Sequence, residues 1–283
     1  MPYSNLQPPL VPVAVAAEKV LKDRFNLGRP RYDQPIHDSV SWRPTLHWKT
    51  KTGYMACEVS ERPFAGIFKA AFAEISSAGL PIRIIAAYPK ENSLSTSKYQ
   101  DDLADARRFG IGLLSVDNDD VALLEYAGVS VCLHVSPPDF KKFKDKKLRT
   151  SVHNAYDIYM TADPAHGVQE LGQLVDDAMY NLAVQAKQKN ILRTGGFDPA
   201  NAKNYALGNL IDDLMRDRVI DNGVLGRCRG FVDDRNGTSH KPHTLAEATE
   251  LEERLKNSFK DGLFILQELP SRMHQKGFLF HLS

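Results

Sequence analysis

A chain of 283 residues is long enough for two ordinary domains, and its 42% hydrophobic and 25% charged content can fill sizeable cores without metals or disulfides. Thirty-six basic against 35 acidic side chains give a net charge of +1. No global field therefore draws the chain to nucleic acid or membrane, and any polyanion site must be a local patch.

The opening stretch, MPYSNLQPPLVPVAVAAEKV, has no basic leader, and its apolar run soon meets Glu18 and Lys19; it reads as neither a signal peptide nor a membrane span. Residues 13–25 predict an amphipathic helix closed by Gly28 and Pro30. TLHWKT and YMACEVS are extended runs joined by a turn at Lys51, Thr52 and Gly53. Residues 64–79 show helical spacing and end on glycine, and residues 81–89 form a continuous apolar strand. A helix over 99–112 and a short strand over 112–117 follow. ALLEYAGVSVCLHV, 122–135, predicts a pair of strands turning at Gly128. This alternation implies an α/β domain over 1–140, with a central mixed sheet flanked by helices.

Pro137 and Pro138 end the pattern, and DFKKFKDKKLRT, 139–150, carries five lysines and one arginine in twelve residues. It reads as a solvated linker, 141–164, or as a local phosphate-binding patch. Residues 165–283 show almost no strand signal. Helices are expected over 168–188, 201–220, 224–240 and 244–269, the last opened by Thr244 with Glu247 three residues on, a capping box. Four such helices imply an all-α bundle. The layout is therefore α+β in two domains. Cys57, Cys132 and Cys228 fit neither a disulfide framework nor a zinc spacing, and Cys57 and Cys132 lie in apolar runs as buried thiols. A reducing, cytoplasmic setting without a membrane is the expectation.

The most informative residues are Arg235, Asn236, Gly237, Thr238, Ser239 and His240. RNA cleaves itself when a 2'-hydroxyl attacks the adjacent phosphate, so a catalyst need only position that hydroxyl, move protons and stabilise charge on the phosphoryl oxygens. Arginine is permanently charged and grips two phosphate oxygens at once. Histidine titrates near neutrality and suits proton transfer. On an unbroken helix Arg235 and His240 would stand roughly 140° apart. Two devices are expected together: Gly237 and the following Thr-Ser loosen the helix, and the same segment of a second subunit completes the site across a two-fold axis.

An arginine, a polar residue, then three residues and a histidine, near the end of a bundle helix, resembles the signature of the HEPN superfamily over about 165–270. The resemblance implies a metal-independent endoribonuclease of toxin, antiphage or RNA-processing systems, acting on RNA as a homodimer through its C-terminal domain. Arg235 would bind and polarise the scissile phosphate, His240 would be the general acid or base, and Asn236 would orient its neighbours or the RNA. A plainer alternative makes Arg235 a surface residue paired with Asp233 or Asp234, and His240 a cap before Pro242. His243 is a loop residue by position.

Residues 12–135 bear a weaker resemblance to PD-(D/E)xK restriction-endonuclease-like folds, which hold Mg²⁺ on carboxylates of adjacent strands to activate water. Asp38 would be the aspartate and Glu58 the acidic residue before the helix. The expected lysine position is Ser60, so Lys69 would have to reach back, and Glu18 could add a carboxylate. The rival functions are a metal-dependent DNA nuclease at Asp38 and Glu58, and a non-catalytic protein binding nucleic acid or a partner through its N-terminal domain.

Overall fold

The computed structural model describes residues 3–90, 97–117, 119, 121–161, 163–236 and 241–282. The chain divides into two compact units. Unit 1 comprises Met1–Ser136 and Lys241–Glu253, and unit 2 comprises Pro137–His240 and Arg254–Ser283. This is the expected α+β two-domain layout, with helices concentrated towards the C-terminus.

In unit 1, β1 (Arg31–Tyr32), β2 (Leu46–Lys49), β3 (Tyr54–Val59), β4 (Ile82–Pro89), β5 (Gly112–Val116) and β6 (Ala122–Tyr126) form one sheet in that order. The β3–β4 and β4–β5 pairs are parallel and the others antiparallel. β3 and β4 read as continuous apolar runs because both of their faces are covered. Met55, Cys57, Ile85 and Ala87 pack with α1 (Val11–Phe25) through Ala14, Ala17 and Leu21. Tyr54, Ala56, Ile84 and Ala86 pack with α2 (Ile67–Ala78) and α3 (Ser97–Arg108), the crossovers that parallel pairing demands. Gly53 closes the β2–β3 turn where a Cβ would stand 2.5 Å from the Pro81 carbonyl oxygen, so only glycine fits without displacing β4's entry.

The expected hairpin over 122–135 is only half a hairpin. β6 ends at Tyr126, Ser130 makes an isolated bridge to Arg83, and Val131–Leu133 is a 3₁₀ turn. Gly128 has φ +69 and lies against Gly110 and Gly112, which turns the chain off the sheet edge. A short buried apolar run is ambiguous between strand and packed turn. Cys132 is correspondingly half-buried, while Cys57 and Cys228 are buried.

Unit 2 is helical. The segment 141–164, expected as a linker, is mostly α4 (Lys146–Thr161), and the boundary falls at Ser136. Leu148, Val152, Ala155, Tyr156, Tyr159 and Met160 form a buried stripe at helical spacing, which the lysines of the first turn mask in the sequence. α5 (Pro164–Gln188) starts on Asp163, whose carboxylate accepts from the N–H groups of Ala165 (3.0 Å) and His166 (3.3 Å), with Pro164 at the first helical position. The helix expected over 201–220 is a 3₁₀ turn, Pro199–Asn204, followed by α6 (Leu207–Arg216). α7 (Asn222–Asn236) and α8 (Leu245–Gln275) complete the chain. The first turns of α8 belong to unit 1, where Leu245 packs on the α2–α3 side of the sheet, and the rest belongs to unit 2. Its capping box is formed: the Glu247 N–H donates to Thr244 Oγ1 at 3.2 Å, and the Glu247 carboxylate accepts from the His243 N–H at 2.7 Å. Among the described residues no helix is long and apolar enough to cross a membrane.

Candidate functional site

α7 buries Val224, Leu225, Cys228, Phe231 and Val232, spaced at three and four residues along one stripe. Arg235 continues that stripe, three and four residues beyond the last two, so the helix turns it inward. Its side chain keeps only 18% exposure, and Nη1 donates to Asp176 Oδ1 at 2.9 Å and Oδ2 at 3.1 Å. Asp176 stands on α5 one helical turn beyond Gly172. A Cβ at Gly172 would lie 2.3 Å from Arg235 Nη1 and 2.6 Å from its Cδ. The guanidinium therefore lies across the bare backbone of α5, and the carboxylate holds its end.

Burial pushes Asp176 above the ordinary aspartate range, against the opposing pull of Arg235. Tyr180, a further turn along α5, donates its hydroxyl to the Tyr205 carbonyl at 2.7 Å, and burial raises its pKa. Asp233 is held by Arg229, which also reaches Asp212 at 3.3 Å.

Asn236 is exposed at the last position of α7. Residues 237–240, and His240 with them, lie outside the described residues. His243 precedes α8 as the loop residue expected, its N–H engaged by Glu247.

The N-terminal candidates divide. Glu58 is on β3 and accepts from the Thr45 N–H at 3.0 Å, and Val59 N–H donates to Thr45 Oγ1 at 3.1 Å. It opens onto a cleft of about 360 Å³ shared with Tyr3, Tyr32, Asp33 and Arg43. Glu18, on α1, accepts from the hydroxyls of Tyr3 and Tyr32 beside that cleft, and Asn5 donates to Asp33. Glu58 lines the cleft, and Glu18 holds two tyrosines that line it. Asp38 does not line the cleft; it sits exposed in the turn between His37 and Val40. Lys69 is exposed on α2, its Nζ 5.8 Å from the Phe64 ring. Among the described residues no three His, Cys, Asp or Glu side chains stand close enough to share a metal ion. The acidic groups of the cleft accept from tyrosine, asparagine and backbone donors.

Burial raises Glu58 to about 7, and burial likewise raises Glu252, which accepts from Ser130 Oγ at 2.6 Å, to about 7. A carboxyl whose folded-state pKa exceeds its unfolded value favours folding while protonated. That contribution is complete below about pH 4.5 and lost as pH rises through about 7. The unfolding free energy of unit 1 should therefore fall between pH 5 and pH 8, by up to about 3 kcal/mol per group. Urea titrations of Glu58→Gln and Glu252→Gln should each show a shallower pH slope. Slopes identical to wild type would refute the assignment.

Compared with protein families, curated proteins and solved structures, the chain matches none.

Proposed function

We infer that this protein is a metal-independent endoribonuclease of the HEPN type, acting as a homodimer through unit 2. One observation carries the reading. The arginine of the motif is not a loose surface residue but an inward-facing guanidinium laid over Gly172 and anchored by Asp176.

In this reading Arg235 takes the non-bridging oxygens of the scissile phosphate and stabilises the charge that accumulates there. The 2'-oxygen bonds to phosphorus as the bond to the 5'-oxygen breaks. His240 takes the 2'-hydroxyl proton and, as the imidazolium, hands a proton to the departing 5'-oxygen. Asn236, at the rim, orients these groups or the RNA. Because arginine and histidine supply charge stabilisation and proton transfer between them, the scheme requires no metal.

The N-terminal unit runs helix, three antiparallel strands, helix, parallel strand, an order that supports a restriction-endonuclease-like origin. With an open cleft of about 360 Å³, it suits a sensor or targeting module that binds nucleic acid or a protein partner. A toxin or antiphage role follows from the HEPN resemblance, in a cytoplasmic setting.

The reading is tested with purified protein and a labelled RNA. Cleavage should persist in excess EDTA and leave 2',3'-cyclic phosphate ends. Loss of all activity in EDTA, with 5'-phosphate products, would overturn it and move the chemistry to the Glu58 cleft.

A further inference from the structure

The lysine-rich segment that opens unit 2 is not a tether. Phe143 and Leu148 are buried and anchor it. Arg149 is spent on fixing its backbone, with Nε on the Phe143 carbonyl at 3.0 Å and Nη2 on the Lys144 carbonyl at 3.4 Å. Asp139 accepts from the Lys141 N–H at 3.1 Å, and Asp145 from the Leu148 N–H at 2.7 Å. Both acidic residues of the segment are thereby turned to the backbone. Lys141, Lys142 and Lys144 remain exposed on this anchored loop, and Lys146 is exposed at the start of α4.

Between this loop and the last turns of α8 lies a cavity of about 220 Å³. Phe143, Leu148, Leu266 and Pro270 give it apolar walls, and Lys142, Lys144 and His274 supply basic groups beside Asp145, whose carboxylate accepts from the Leu148 N–H. Gln267 and Ser271 add hydrogen-bonding side chains. Pro270 lies inside α8 and has no N–H, so the Leu266 carbonyl at the cavity wall lacks its helical donor. A volume below the roughly 300 Å³ at which drug-sized sites begin suits one flat, polar-edged ring. Flexible cations beside an apolar slot with acceptors and donors at its edge are what single-stranded nucleic acid requires: charge for the phosphates, a surface for one base.

The helix that follows the loop is tied to the C-terminal residues. Lys147 Nζ donates to the Leu282 carbonyl at 3.0 Å. The same C-terminal strand of residues is held on α5 by Asn181 and Gln185, through the His281 and Leu279 carbonyls at 3.4 and 2.6 Å. Five to nine residues separate these from Asp176, roughly 8–14 Å along the helix axis.

We propose that this basic loop and its cavity form a subsite for single-stranded RNA, holding phosphates on Lys142 and Lys144 and one base against Phe143 and Pro270. The choice of RNA over DNA rests on the ribonuclease reading above. The remainder rests on the loop itself.

The test uses full-length His240→Ala protein, so that binding is read without cutting, and a fluorescent single-stranded RNA titrated between 50 and 200 mM salt. Lys142→Gln with Lys144→Gln should lower the slope of log affinity against log salt by about 1.4, two phosphate contacts at about 0.7 each. Lys19→Gln with Lys51→Gln, an equal charge loss in unit 1, should leave the slope unchanged. Ser271→Trp, at an exposed cavity residue, should weaken binding without changing the slope. Equal slopes for both lysine pairs would overturn the proposal, as would tighter binding of duplex DNA or of anionic vesicles than of RNA. The two readings fail separately. Wild-type protein that cuts RNA while the loop variants bind it normally defeats only the subsite. Loop-dependent binding of an RNA that wild type never cuts defeats only the nuclease.

Discussion

His240→Ala should lower RNA cleavage by about 10²–10⁴-fold, the usual contribution of a general acid or base, while the melting temperature stays at the wild-type value. The sharper expectation concerns how the site is shared. Arg235→Lys keeps a cation beside Asp176 but loses the planar fork that grips two oxygens, so it too should be nearly inactive. If arginine and histidine come from different protomers, a heterodimer of the two inactive variants rebuilds one complete pair from opposite chains. Random re-assortment makes half of the dimers mixed, each with one of two sites intact, so mixing should restore about a quarter of wild-type activity. If the pair belongs to a single protomer, no chain in the mixture carries both groups and mixing restores nothing. Full activity in His240→Ala alone would remove the catalytic claim, whatever the mixing result.

The sequence spoke most clearly where one chemical pattern ran long. β4 is a continuous apolar strand, and α5 repeats its apolar residues over seven turns, so both were legible from periodicity. α4 was hidden because Lys146, Lys147 and Arg149 crowd its first turn, and local charge outweighed the stripe from Leu148 to Met160. The motif drew the eye to Arg235, yet its partner could not be read from it. Asp233 and Asp234 are adjacent, whereas Asp176 is 59 positions away and meets Arg235 only once α7 packs on α5. One signal was present: Gly172 and Asp176 stand four apart in a helix that is otherwise apolar on that side, a bare patch beside a carboxylate. Glu18 and Glu58 are visible in the sequence as carboxylates, but their tyrosine and backbone partners come from Tyr3, Tyr32 and Thr45, which no strand-and-helix pattern would bring to them.

Asp176 and Gly172 give the remaining expectation with a large effect. Asp176→Asn removes the charge and keeps an acceptor for Arg235. Burial already disfavours the ionised carboxylate more than Arg235 favours it, so the folded state should lose little, within about 1 kcal/mol. Cleavage should nevertheless fall by about 10–100-fold in kcat, with little change in KM, because a guanidinium misplaced by about 1 Å stabilises the transition state poorly. Gly172→Ala approaches the same group from the other side. Alanine is the better helix former by about 1 kcal/mol, so α5 itself should not suffer. Its methyl would nonetheless occupy the space of the Arg235 Nη1 and Cδ atoms and drive the side chain off its seat. Two unlike substitutions, one electrostatic and one steric, should therefore converge on a slow enzyme with near-native stability. The pH profile adds a sign. As pH falls through the raised Asp176 value, wild type should lose kcat as the carboxylate protonates and releases Arg235, and the asparagine variant should lack that limb. If Asp176 merely supports the fold, urea titrations will show a stability loss of several kcal/mol and kcat per folded molecule will match wild type.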